Sequence, residues 1–202
     1  MHIYSILRHA VLISGYIIII VLHNESRLYM LVFSALVDLP EDYMFSIGDK
    51  IVYPMHGAGV IESIEEKEIL GQKQSYYIVK MPIGDMRVMI PIQNTRDIGI
   101  REVISHQDVD KVFDVLLDQH TSSTSNWNKR YRENMIKIKS GNIFEVADVV
   151  RTLILREKEK GLSTGEKKML NSAKQILISE LVLAKDLNQV DIEVKINECF
   201  EL

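Results

Sequence analysis

The chain has 202 residues, 47% of them hydrophobic and 26% charged, with a net charge of −4. That length and balance suit one or two compact domains and exclude a chain basic throughout, as a general nucleic-acid binder would be. A single cysteine, Cys199, excludes an internal disulfide or a cysteine-built metal cage and points to a reducing compartment.

Residues 1–43 are dominated by the uncharged run AVLISGYIIIIVL (10–22), with Arg8 and His9 before it. Such a run is short for a bilayer span but suits the core of a secretion signal. No small-x-small cleavage site follows it; HNESRLYM does, then a second apolar patch, LYMLVFSALV, and DLPEDY before Met44. Three readings compete: a membrane anchor, an export signal, or an upstream stretch not translated in the native protein. Codons for Pro40-Glu41-Asp42 can spell GGAGG, a bacterial ribosome-binding sequence, a few nucleotides before a Met44 codon. The third reading is therefore preferred, with Met44 as the natural start, and residues 1–43 stay outside the fold expectation.

From Met44 to about Arg101 the pattern is short strands between turns. KIVYP, GAGVIESIEE, QSYYIVKMP and MRVMIPI are rich in Val, Ile and Tyr with partial alternation. Gly48-Asp49, Gly57 with Gly59, Leu70-Gly71 and Gly84-Asp85 supply turn chemistry between them. The spacing predicts a small, strongly bent sheet or barrel of the Tudor or SH3-like kind over 44–104, with Pro54 and Pro91 at strand ends or edges. The HGAG segment (56–59) reads as a tight strand turn, since no helix or nucleophile motif follows it.

After Ser105 the period becomes helical. Val109, Val112, Phe113, Leu116 and Leu117 predict a helix over 106–118, and a second is expected over 126–139 with Gly141 as its stop. Asn142-x-x-Glu145 opens a third helix that ends near Gly161. Ser163-Thr-Gly-Glu166 is a capping box opening a fourth, and a last helix is expected from Asn188. The fold class is therefore α+β: a small barrel followed by an all-helical domain over 105–202 with an acidic tail.

Charge divides along the chain. Residues 44–104 carry 7 Lys and Arg against 8 Asp and Glu, residues 121–185 carry 13 against 7, and residues 186–202 carry 1 against 5. The basic surplus is confined to helices that follow Trp127, the only tryptophan. As a core residue it would staple the helix start. Asn126, Asn128, Lys129, Arg130 and Arg132 weaken that reading, because Tyr131, Met135 and Ile138 better supply the buried stripe. An exposed Trp among cations suits either a protein-interface anchor or a ring pressed on a nucleobase while Lys and Arg hold phosphates. Lys167 and Lys168, at a capped helix start, could join backbone N–H groups on one phosphate. His56, His106 and His120 lack metal-ligand spacing, and no Walker, Rossmann or zinc pattern occurs. No enzyme activity, small-molecule substrate, cofactor or metal site is expected.

From Met44 to about Lys185 the chain resembles the CarD/CdnL family of bacterial transcription regulators. The resemblance rests on GDKIVYPMHGAGVIESIE, GIREVIS, NWNKRYREN, SGNIFEVADVVRTL and KGLSTGEKKMLNSAKQILISELVLAK in that order. It implies that the barrel docks on the β subunit of RNA polymerase. It also implies that the helical domain meets promoter DNA at the upstream edge of the melted bubble, where a tryptophan enters the minor groove and supports the open complex. Carried over by position, that tryptophan is Trp127, and Lys129, Arg130, Arg132, Lys167 and Lys168 match basic DNA-contacting positions. Lys67 matches a polymerase-binding position that some members fill with Arg. Met89 stands where those members have another Arg, and Arg87 lies two residues earlier. The resemblance implies a cytoplasmic protein with no membrane role. The rival is a protein-interaction adaptor with Trp127 as its anchor.

Overall fold

A computed structural model describes residues 8–13, 16–23, 27–33, 45–69, 71–84, 86–118 and 126–200. The chain divides into two compact units, Met1–Tyr43 and Met44–Leu202. In the first, β1 (Arg8–Ile13), β2 (Tyr16–His23) and β3 (Arg27–Phe33) form an antiparallel three-stranded sheet in sequential order. Arg8 pairs with Val21 and Ile17 with Phe33. The apolar run 10–22 is thus divided between two strands, as its β-branched Val and Ile favour. No described helix is long and apolar enough to cross a membrane.

The second unit begins with β4 (Lys50–Tyr53), β5 (Gly57–Ile69), β6 (Gln72–Lys80) and β7 (Arg87–Pro91). A 3-10 turn (Ile92–Asn94), the one-turn α1 (Thr95–Ile98) and the short strand β8 (Arg101–Glu102) follow. The five strands form an antiparallel sheet in the order β7-β6-β5-β4-β8. Ile51, Ile61, Tyr77, Val79 and Ile90 fill the core on one face, and the Tyr77 hydroxyl accepts the buried Phe45 N–H at 3.1 Å. Pro91 closes the edge strand β7, where its missing N–H leaves no ladder bond unmade. The turn before β5 is Pro54–His56, with Met55 at φ 68°, so the HGAG glycines open the strand rather than make the turn.

Helices follow: α2 (Asp108–Leu117), α3 (Trp127–Lys139), α4 (Ile143–Lys160), α5 (Thr164–Lys185) and α6 (Gln189–Glu198). This is the α+β order expected from the sequence. The starts of α3, α4 and α6 are set by side-chain caps: Asn126 accepts from Lys129 N, Asn142 from Phe144 N, and Asn188 from Asp191 N. Ser163 and Glu166 complete the expected capping box. Gly141 and Gly161, both at positive φ, follow the ends of α3 and α4. The helical core is built around α4 and α5, with Val109, Val112 and Leu116 of α2 and Ile192 and Ile196 of α6 packed in. His120, the hydroxyl run 121–125, Leu70 and Asp85 lie outside the described residues.

Sheet and helices share a close interface. The Ala58 N–H donates to Ser179 Oγ at 2.8 Å. A Cβ on Gly57 would stand 2.5 Å from that same oxygen, so only glycine lets α5 approach β5 here. Arg101 of β8 grips Glu180 of α5 through two hydrogen bonds, of 2.6 and 2.8 Å, and also donates to the Gly141 carbonyl. Lys50 of β4 donates to the Leu183 carbonyl and to Asp186 at the end of α5.

Candidate nucleic-acid interface

Trp127 is the first residue of α3, and its ring rests against the start of α5. The indole Nε1–H donates to Ser163 Oγ at 3.0 Å. Its ring stacks on Tyr131, one turn later, with centroids 5.3 Å apart and planes inclined by 26°. Gly165 of α5 lies beside both rings, close enough that a Cβ there would stand 3.6 Å from the indole, in ordinary van der Waals contact. Even so, Trp127 keeps 43% of its surface exposed. The ring is therefore fixed on one side and open to a ligand on the other, as an amphipathic indole permits.

Ser163 is itself held. Its Oγ accepts from Trp127 Nε1 and Glu166 N and donates to Glu166 Oε2 at 2.8 Å, using the full capacity of a hydroxyl. Glu166 also accepts from the Ser163 backbone N–H, and its carboxylate is buried. Arg130 Nη2 donates to Glu166 Oε1 at 3.0 Å, and Arg156 Nε stands 3.5 Å from the same oxygen. Burial pushes the Glu166 carboxyl up, but the Ser163 backbone and hydroxyl bonds and the Arg130 guanidinium outweigh it and hold the group below its ordinary range. A continuous set of bonds thus runs from Arg130 through Glu166 and Ser163 to the indole.

The cations matched by position separate into two kinds. Arg130 is buried, with its guanidinium turned to Glu166. Arg132, Lys167 and Lys168 are exposed and make no ion pair among the described residues, and Lys129 has only a long contact of 3.8 Å to Glu133. Lys167 and Lys168 stand in the first turns of α5, directly after the Ser163–Glu166 box that carries the indole. Lys137 is tied to Asp148 at 2.5 Å, and Arg151 binds the same carboxylate. Burial raises the Asp148 carboxyl, but Lys137 and Arg151 override it and keep the group low. Sequence reasoning identified the capping box but not that its serine holds Trp127. It placed Arg130 among the outward cations, whereas the decisive partner, Glu166, lies 36 residues away.

On the sheet, Lys67 of β5 reaches across to Met89 of β7, its Nζ donating to the thioether at 3.2 Å, and pairs with Glu65 at 3.1 Å. Arg87 is engaged by Glu62 through two bonds, of 2.5 and 3.1 Å. The structure therefore brings Lys67 and Met89 together and commits Arg87 to a neighbour on its own sheet. Met86 and Met89 remain exposed beside them. The lone thiol, Cys199, is buried; burial and the neighbouring Glu198 charge raise its pKa, which disfavours a reactive thiolate. Among the described residues no group of His, Cys, Asp and Glu could hold a metal ion.

Comparison with known proteins matches residues 45–104 to the family model described as the CarD-like/TRCF RID domain and residues 111–197 to that of the CarD C-terminal domain. The chain is also 45% identical over 150 residues to a Bacillus subtilis (strain 168) protein named "Putative transcription factor YdeB". That match covers 74% of this chain and 98% of the relative.

Proposed function

The chain belongs to the CarD/CdnL family of transcription regulators, and on that premise we propose that it binds RNA polymerase and stabilises the open promoter complex. Residues 44–104 are assigned to docking on the polymerase β subunit, with Lys67, Met89 and Arg87 on the docking face. Residues 105–202 are assigned to promoter DNA at the upstream edge of the bubble. Lys129, Arg132, Lys167 and Lys168 contact phosphates, and Trp127 enters the minor groove. Arg130 acts through Glu166 and Ser163 as a positioning residue. The protein works in the cytoplasm and is not an enzyme.

The observation that carries this reading is the half-open indole, held by Ser163 and Tyr131 at the meeting of two helix starts that also carry Arg132, Lys167 and Lys168, exposed cations with no acid partner among the described residues. A ring already fixed in place loses little freedom when it meets a base step, so more of its contact energy is retained. Docking on polymerase raises the local concentration of a weak DNA-binding surface, so modest phosphate contacts suffice. If the ring fits unstacked DNA better than duplex by about 1.4 kcal/mol, the open state gains roughly tenfold over the closed one. Backbone contacts and a wedge read shape rather than bases, so no sequence specificity is expected.

The test is promoter opening followed by a fluorescent base in the bubble, with polymerase and either the parent chain or Trp127→Ala. The expected result is unchanged polymerase binding with a several-fold loss of the open population. Full activity in the variant would remove Trp127 from the mechanism.

A further inference from the structure

From Lys167 to Ser179, α5 carries no acidic residue. Lys167, Lys168, Asn171, Ser172 and Gln175 on this stretch are exposed, and Lys174 is half-buried. This stretch leads from the indole end of the helix into a groove of about 350 Å³ between α5 and α6, whose apolar lining is Ile83, Ile178 and Ile196. One wall is Asn171, Lys174 and Gln175; the other is Gln189, Glu193 and Asn197. Lys174 makes no ion pair or hydrogen bond among the described residues, although Lys137, Arg151 and Lys185 of the same helical part each hold a carboxylate. Glu193 is turned to its own helix, accepting from Gln189 Nε2 at 2.6 Å.

A lysine that makes no ion pair among the described residues, set among amide side chains in a groove, is arranged for an anion that is not part of the chain. Seven residues separate Lys167 from Lys174, two turns on nearly the same helix face and about 10 Å along the axis. That interval corresponds to roughly three base steps of a nucleic-acid strand at 3.4 Å each. We infer that the Asn171–Lys174–Gln175 wall is a second backbone site, which binds the phosphodiester strand as it leaves the Trp127 wedge. The inference rests on the DNA reading given above. It extends that contact from one end of α5 to the middle of the helix, and makes Glu193 on the facing wall a charge that weakens it.

The test uses the full chain and a forked promoter fragment, with binding followed by fluorescence anisotropy over a range of salt. Lys174→Gln should weaken binding several-fold at low salt and reduce the slope of log K against log salt by about one. Glu193→Gln should tighten binding, an effect that damage to the fold would not produce. Lys195→Gln, on the other side of α6, should change little. If Lys167→Gln weakens binding while Lys174→Gln and Glu193→Gln bind as the parent does, the second site is wrong and the wedge reading stands. If Lys195→Gln weakens binding as much as Lys174→Gln, the effect is one of overall charge and the site is again wrong. If Lys167→Gln, Lys174→Gln and Glu193→Gln all leave binding unchanged, the DNA face as a whole is refuted.

Discussion

Replacing Arg101 by methionine tests how firmly the sheet and helices are joined. Glu180 is only 1% exposed, and Arg101 supplies both of its ionic hydrogen bonds. The remaining partner is the Ile104 N–H at 3.2 Å. Arg101→Met therefore leaves a carboxylate in the interior with one backbone donor, and takes two donors from the Gly141 carbonyl. Breaking a buried pair from one side costs about 3–5 kcal/mol. The Arg101 side chain is 31% exposed, so water reaches the gap and the lower end of that range applies. For a domain of this size about 3 kcal/mol lowers the melting temperature by roughly 6–12 °C. Thermal melting followed by circular dichroism reads this directly. Because the penalty lies in the orphaned acid, Arg101→Met with Glu180→Leu should recover much of the loss. A single variant melting within 2 °C of the parent would show that the pair does not hold the interface.

The remaining predictions concern the support of the indole. Ser163→Ala removes both the α5 cap and the indole's acceptor; it should cost about 1 kcal/mol of stability and change the emission of the only tryptophan. Unchanged fluorescence would mean that the Trp127–Ser163 bond is not formed in solution. Glu166 and Asp148 are both held below their ordinary pKa in the folded chain. Their contribution is therefore complete above the ordinary carboxylate range, about pH 4, and is lost as pH falls through the lowered folded values. Denaturant titrations should find stability flat from pH 7 to 5 on this account and falling below about pH 4, with a shallower fall in Glu166→Gln. An equal fall in the variant would place the acid sensitivity elsewhere.

The helices were legible because their ends are written locally. Asn126, Asn142, Asn188 and the Ser163–Glu166 box each close a bond within three residues, so spacing alone announces them. The strands were legible from turn residues and from the β-branched runs between them. What sequence could not supply was the direction of side chains that meet partners far along the chain. Arg130 sits in a run of cations and looks outward by composition, yet Glu166 draws it inside. Gly57 looks like a turn residue, but its missing side chain makes room for Ser179, 122 positions later by residue number. In the first unit, an apolar run of thirteen residues did not declare that it would divide between two strands.

The same distinction between local and distant partners explains how one basic surplus can do two jobs. Arg130, Lys137 and Arg156 hold carboxylates on another helix and thereby fix helix against helix, while Arg151 joins Asp148 of its own helix to Asp118 at the end of α2. Arg132, Lys167, Lys168 and Lys174 have no acid to hold among the described residues, and the first three are exposed. Neutralised cations contribute little to an external field, so the potential felt by a polyanion comes mainly from the second group. Three of those four lie on α5, the helix whose start carries the indole and whose far end is joined to the sheet through Glu180 and Ser179. Because α5 is continuous from Thr164 to Lys185, the exposed Lys167 and Lys168, the acceptor Ser163 at the helix start and the attachment to the sheet lie along one helix. On the function proposed above, a partner held by the sheet is thereby linked to the ring through one helix and the Trp127–Ser163 bond, which is the geometry a protein needs if binding one partner is to position an aromatic side chain against another.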